Sequence, residues 1–330
     1  MATLGANNLT IADAVRRMTP DGEMAPIGEI LNQRNGIIAD IPWLEGDEVG
    51  GHMVTQRTSL PSISTVVPGN GVQSSASSTD QFLEAPEILG GFSVLDQYVA
   101  NYGGNAAGKR ASEDVAFVEK FDQTVADRWI YGNGTTTVGQ MDGLATRYGA
   151  IASSANFNNI IDCGGTGSVN MSMWLMGFGP KTLYGWYPKG TPAGLYRKDW
   201  GPQVRTNSDG TEQVVYRTEY SWAIGMALED WRFVTRMCNI DESLLILGTG
   251  ADLFSKAIQA IHAIFDINMC RPGFYINRTT RAMLDIQARN DVMAGGQLKY
   301  EMVDGKRIEF IQNIPVNLLD RLTQTESRVT

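Results

Sequence analysis

One stretch constrains this 330-residue chain more than any other. Residues 104–132, GNAAGKRASEDVAFVEKFDQTVADRWIYG, predict the longest helix in the sequence. Val115, Val118, Phe121, Val125 and Trp129 recur at spacings of three and four, which lines one face of a helix. Ser112 followed by Glu113 and Asp114 places an N-cap candidate and two carboxylates at a helix start, where unpaired N–H groups and the dipole favour them. Gly132, Asn133 and Gly134 then close it, because glycine adopts the left-handed conformation that ends a helix. From Arg110 to Tyr131 the helix would be about 33 Å long, enough to span a small domain.

What precedes the helix cannot fold alone. Residues 1–36 read as an arm with two short helices. Thr10 and Asp13 make a capping-box-like start for IADAVRRM, and MAPIGEILNQRNG ends on Gly36. Between residues 37 and 101 the chain turns rich in Ser, Thr, Val and Gly. Two extended arms, His52–Val67 and Thr79–Leu95, flank a PGNG turn and a serine-rich tip. Leu60, Ile63, Val66 and Val67 are too sparse for a core of their own. A projecting β-ribbon results. Since an isolated two-stranded hairpin is marginal in water, it should find support on another subunit.

After the helix, residues 135–159 are turn-rich and polar, as a surface connection should be. Residues 171–240 are mostly strand. MSMWLMGFG reads as a buried strand, LYGWYPKGTPAGLYRKDWG as short strands broken by Pro-Lys-Gly, and Val215 to Ile224 as alternating β formers beyond an Asp209-Gly210 hairpin signal. RFVTRMCNI, residues 232–240, is a further strand. Helix returns at 249–290. Thr249 and Asp252 open one with Leu253, Ala257, Ile261 and Ile264 on a face, and Asn277 caps another beyond the short strand Phe274–Ile276. LKYEMV-DG-KRIEFI is a hairpin with a two-residue turn, followed by IPVNLLDRL and a polar tail.

Chemistry is hard to find. The formal charge of −9 argues against a surface that grips nucleic acid, since phosphate binding needs clustered Lys and Arg. Cys163, Cys238 and Cys270 are odd in number and far apart, so they point to free thiols rather than a zinc site or disulfide framework. There is no signal-peptide core and no apolar run near the roughly 20 residues of a membrane span. His52 lies at the ribbon's base and His262 within an amphipathic helix, where a structural role is expected of each. No HExxH, GxSxG, P-loop or strand–GxGxxG–helix pattern occurs. Glu229-Asp230 and Asp241-Glu242 read as solvated turns. Trp174, Trp186, Trp200, Trp222 and Trp231 could line a sugar site, but on strands aromatics more often pack a core. The expectation is a protein that is not an enzyme and takes no cofactor or metal.

The order of arm, ribbon, long helix, strand-rich block and helix–strand–helix lobe resembles the major capsid proteins of tailed bacteriophages of the Hong Kong phage type. SMWLMGFGPKTLYGWYPKGTPAGL, VVYRTEYSWAIGMALEDWRFVTRMCNID, FYINRTTRAMLDIQARN and LLDRLTQTESRV are similar to capsid proteins of short-tailed phages related to epsilon fifteen. The resemblance implies an α+β phage capsid fold. Residues 1–49 would form its N-terminal arm, 50–103 its extended loop or E-loop, and 104–170 a peripheral domain with the spine helix. Residues 171–248 would form a strand-rich peripheral and axial region, and 249–330 the axial domain. Strands come before the helix pair here, which suggests a rearranged connectivity.

In function, the resemblance implies a structural virion protein, assembled in the bacterial host cytoplasm. Its copies would form the hexamers and pentamers of an icosahedral shell around double-stranded DNA, with no sequence-specific grip, and with scaffold, cement and portal proteins as further partners. Two alternatives remain open: an encapsulin-like nanocompartment and a β-rich carbohydrate-binding protein. Arg57, Asp80, Glu84 and Glu87 on and beside the ribbon, with Lys120 on the helix, are the candidate inter-subunit contacts. Some capsids of this type join subunits by an isopeptide bond from a ribbon lysine. No lysine precedes Lys109 in this chain, so its ribbon lacks the amine that bond needs.

Overall fold

The computed structural model describes residues 31–48, 50–66, 68–69, 71–102, 104–151, 157–207, 210–290, 298–303 and 306–330. Of the arm expected at residues 1–36, residues 1–30 lie outside the described residues, as do all or part of the turns at 209–210 and 304–305; residues 31–36 are not helical, and Gly36, expected to end a helix, instead precedes the helix Ile37–Asp40 as its N-cap. The elements, in order, are α1 (Ile37–Asp40), β1 (Trp43–Glu45), β2 (His52–Ser59), β3 (Ser78–Glu84), β4 (Glu87–Asp96), α2 (Gln97–Asn101), α3 (Ala106–Tyr131) and α4 (Leu144–Arg147). There follow β5 (Ile160–Asp162), β6 (Asn170–Phe178), β7 (Leu183–Tyr187), β8 (Tyr196–Thr206), β9 (Glu212–Leu228), β10 (Val234–Asp241), α5 (Glu242–Ile246) and α6 (Leu253–Ala263). The chain closes through β11 (Arg271–Ile276), α7 (Arg278–Asn290), β12 (Leu298–Val303), β13 (Lys306–Ile311) and β14 (Ile314–Leu318).

The apolar run of β6 is buried along its whole length, as a strand covered on both faces requires. β10 and β11 flank it, both antiparallel, with Arg236 and Tyr275 opposite Trp174 on either side. Successive side chains of β6 point to opposite faces. Trp174, Met176 and Phe178 join Val125, Trp129 and Ile130 of α3 in one core. Met171, Met173 and Leu175 join Leu253, Ala257 and Ala260 of α6 and Leu284 of α7 in the other. The sheet is thus a middle layer, with α3 on one side and the α6–α7 pair on the other.

The strand-rich block is shared between two regions. β9 runs for 17 residues. Its first part pairs with β4 and β8 to make an outer three-stranded sheet, and its last residues pair with β7. Its side chains on one face of that outer sheet meet α3: Tyr220 stacks on Phe117 at 5.5 Å, and Gly91 opposite Tyr220 leaves room for Phe117 and Phe121.

Several boundaries differ from the sequence reading. α3 begins at Ala106, not at Ser112; Asn105, with φ 54°, accepts from Gly108 N–H as its N-cap. Only the later half of the predicted stripe is buried: Phe121, Val125 and Trp129 are inside, whereas Val115 and Val118 are each 50% exposed. α6 is capped by Asp252, whose carboxylate accepts from Phe254 and Ser255 N–H; Thr249 lies outside the helix. The second ribbon arm is really two strands. β3 stops at Glu84, and after Ala85 and Pro86, which cannot donate to a ladder, β4 leaves the ribbon to pair with β9.

The C-terminal segment works as a clasp. Leu319 and Leu322 are buried, and Glu326 exchanges backbone hydrogen bonds with Asn170. Arg236 donates to Glu326 at 2.9 Å in an ion pair whose side chains are 5% and 6% exposed. Tyr131 and Ser172 also donate to that carboxylate. Asn239 then holds Val329 by both its N–H and its carbonyl.

Candidate functional site

β2 and β3 form a two-stranded sheet apart from the rest, with His52 opposite Glu84 and Arg57 opposite Thr79. Its free end has no core: Leu60, Val66 and Val72 are exposed, and Ile63 is 96% exposed. Between Arg57 and Ser59 the ladder shifts register. Hydroxyls take over there, with Ser78 at 2.9 Å from Thr58 and 2.7 Å from Ser59.

The stem, by contrast, is bolted to the body. Val54 is buried in a small cluster with Tyr184, Trp186 and Ala227. Gln56 donates to the Leu228 carbonyl at 3.1 Å. Arg147 of α4 forks onto Glu84 with two hydrogen bonds of 2.7 Å. Although burial works against its charge, those bonds hold the Arg147 guanidinium above its ordinary pKa. Glu87 is buried and accepts from Arg128 Nε at 2.9 Å and from Met141 N–H at 3.2 Å. Arg128 also pairs with Asp127, and Asp127 with Arg321. Ion pairs therefore run from the ribbon's root through α3 to the clasp.

The five predicted contact residues are thus divided. Arg57 and Asp80 stand exposed on the ribbon, where their cross-strand partners Thr79 and Gln56 put them on opposite faces, and Lys120 stands exposed on α3. Glu84 and Glu87 are held inside the chain by Arg147 and Arg128. Sequence reading missed those arginines, and it also missed Lys109. That residue, only 2% exposed, donates Nζ to the carbonyls of Val99, Ala100 and Tyr102 and so closes the end of α2 against α3. Burial lowers its pKa. Asp96, which caps α2 with bonds to Tyr98 and Val99, shared the fate of Lys109 in carrying no visible pattern.

Burial pushes the Cys163 thiol up to about 12 and Cys238 and Cys270 to about 11, away from the thiolate that would react. Among the described residues no three His, Cys, Asp or Glu side chains gather as metal ligands, and no helix is long and apolar enough to cross a membrane. Trp174 and Trp186 lie in the core, and Trp222 and Trp231 pack against it. Trp200 is the exception, half-exposed beneath Lys198 at 3.7 Å.

Comparison with solved structures brings these parts together. A chain of the bacteriophage Epsilon15 structure matches with 29% identity and a TM-score of 0.81, over 100% of both chains. The capsid of bacteriophage JBD30 matches with 12% identity and a TM-score of 0.43, over 90% of this chain and 95% of that one. The SrpI encapsulin of Synechococcus elongatus PCC 7942 matches with 9% identity and a TM-score of 0.39, over 72% and 92%. No curated protein sequence matches. A profile of the family described as major capsid protein GP7 matches residues 19–330. With nearly its whole length matched, and with the ribbon, long helix and central sheet in place, the chain belongs to that family of phage major capsid proteins.

Proposed function

We propose that many copies of this chain assemble as hexamers and pentamers of an icosahedral shell around double-stranded DNA. The reading is carried by one observation, a ribbon whose stem is bolted down and whose apolar end is exposed among the described residues. A two-stranded ribbon held out in water needs a second surface. Another copy supplies it, in contacts of the standard size of about 1,200–2,000 Å². Arg57, Asp80 and Lys120 are the exposed charges that would meet neighbours, and Glu84 and Glu87 set the ribbon's direction from within. The net charge of −9 suits a wall that encloses DNA without holding it. Scaffold, cement and portal proteins, and assembly in the host cytoplasm, belong to the same proposal.

The other two readings are not favoured. Burial of four of the five candidate tryptophans, Trp174, Trp186, Trp222 and Trp231, in or against the core removes the aromatic surface a sugar site needs. The likeness to a chain of the bacteriophage Epsilon15 structure covers both chains entirely, which favours a phage shell over an encapsulin-like nanocompartment. Negative-stain microscopy of native particles tests the proposal directly. Hollow or DNA-filled icosahedra built from a 36.1 kDa chain are expected. A chain that stays monomeric, even when expressed together with its neighbouring phage genes, would overturn it.

A further inference from the structure

Arg217 of β9 is a cation with room beside it. It lies opposite Val94 of β4, and its guanidinium stacks over the Phe92 ring at 3.8 Å. Its Nε is buried and has no hydrogen-bond partner among the described residues. Glu219, two residues on along the same face of β9, accepts instead from Trp200 Nε1 at 2.8 Å. With Phe92, Val94, Val204 and Val215, Arg217 lines a groove of about 640 Å³, which Glu113 and Phe117 of α3 complete. Phe92 and Val204 are exposed there. Glu113 and a second cation, Arg205, each have an interaction already. A buried N–H donor without an acceptor is costly, and a carboxylate is the acceptor that suits a guanidinium best.

The first described residues lie close by. The Leu31 carbonyl accepts from Gln123 Nε2 at 3.0 Å, and Gln33 N–H donates to Glu119 at 2.8 Å, so residues 31–33 run beside α3. Back along the helix from Gln123, Phe117 is about 9 Å away and Glu113 about 15 Å, at 1.5 Å per residue. An extended chain covers that span in about three to five residues. The twelve residues before Leu31, TPDGEMAPIGEI, carry Asp21, Glu23 and Glu29 and no Lys or Arg. Met24, Ile27 and Ile30 set apolar side chains among those acids. Reach, charge and hydropathy therefore all match the groove.

We infer that residues 19–30 dock in this groove of their own chain, with one of their three carboxylates on Arg217 and their apolar side chains over Phe92 and Val94. The carboxylate gives Arg217 Nε the acceptor it lacks. A groove whose unsatisfied group is a cation admits an acidic segment and rejects a basic one. The short tether from Leu31 keeps the segment at high local concentration, which favours the chain's own arm over that of a neighbour. Residues 1–18 then leave the molecule from the outer sheet rather than from α3, and that exit decides which neighbouring copy they can reach.

Arg217→Lys keeps the charge and supplies an amine for a zero-length carbodiimide cross-link. The full-length, unassembled protein is used, so the outcome is independent of shell formation. Mass spectrometry is expected to find position 217 joined to Asp21, Glu23 or Glu29. When isotope-labelled and unlabelled chains are mixed, the cross-linked peptides should each carry one isotope only. Mixed-isotope peptides, or no cross-link to residues 19–30, overturn the proposal. Hydrogen exchange gives a second measurement. Residues 19–30 are expected to exchange about tenfold more slowly in the wild-type chain than in Arg217→Gln, with exchange in β6 the same in both. Equal exchange of residues 19–30 in the two proteins also overturns it.

Discussion

At Gly132 the missing side chain decides how α3 ends. Its φ is −52°, outside the left-handed region, so conformational freedom is not why glycine stands there. Space is the reason: an added Cβ would lie 2.4 Å from the Met141 carbonyl oxygen and 2.5 Å from that of Arg128. Gly132→Ala should therefore cost about 1–3 kcal/mol, measured as a lower urea midpoint for the unassembled protein. Asp320 is a second informative position. Hydrogen bonds from Arg278 at 2.7 Å hold its carboxyl below its ordinary pKa. A lowered folded-state pKa stabilises the protein above the unfolded carboxylate value of about 3.9, and that stability is lost as pH falls through the folded value. Arg278→Ala should accordingly weaken the protein at pH 6 to 7 and make little difference near pH 2. Unfolding curves across that range would show the two proteins converging, and a gap that persists in acid would assign Arg278 a different role.

The elements show where sequence periodicity suffices and where it does not. β6 was legible because nine consecutive residues needed burial on both faces, and an alternating surface strand has no such run. α3 was legible as a helix, but its stripe was read as one continuous seam. Spacing tells which residues share a face and nothing about how far the partner layer extends. The central sheet covers Val125 and Trp129, while Val115 and Val118 lie beyond it. The partners of Glu84 and Glu87 were invisible for a related reason: Arg147 and Arg128 lie 63 and 41 residues away in sequence, and no local pattern links charges at such separations. This division of α3 makes a paired prediction. Val125→Asp places a carboxylate at a site with no exposure and should leave the chain insoluble. Lys120→Glu, on the exposed face, should leave folding intact and lower the yield of particles. Sedimentation of soluble protein separates the two, and unchanged particle yield for Lys120→Glu would move the neighbour's contact elsewhere on α3.

For the molecule as a whole, covalent chemistry should be absent from the shell. With no lysine before Lys109, and with Lys109 itself enclosed by three carbonyls, the ribbon has no amine to offer. Particles boiled in SDS should run as a single band near 36.1 kDa, and a ladder of multimers would contradict this. Strength must then come from how the chain is threaded, and β9 is the instructive case. One covalent strand belongs to both the outer three-stranded sheet and the central one. Ladder bonds in antiparallel pairs stand perpendicular to the strand. Tension along β9 therefore loads them in shear, many at once, instead of peeling them apart in turn. A particle pushed outward from within would pass that load from rim to centre through a continuous tendon.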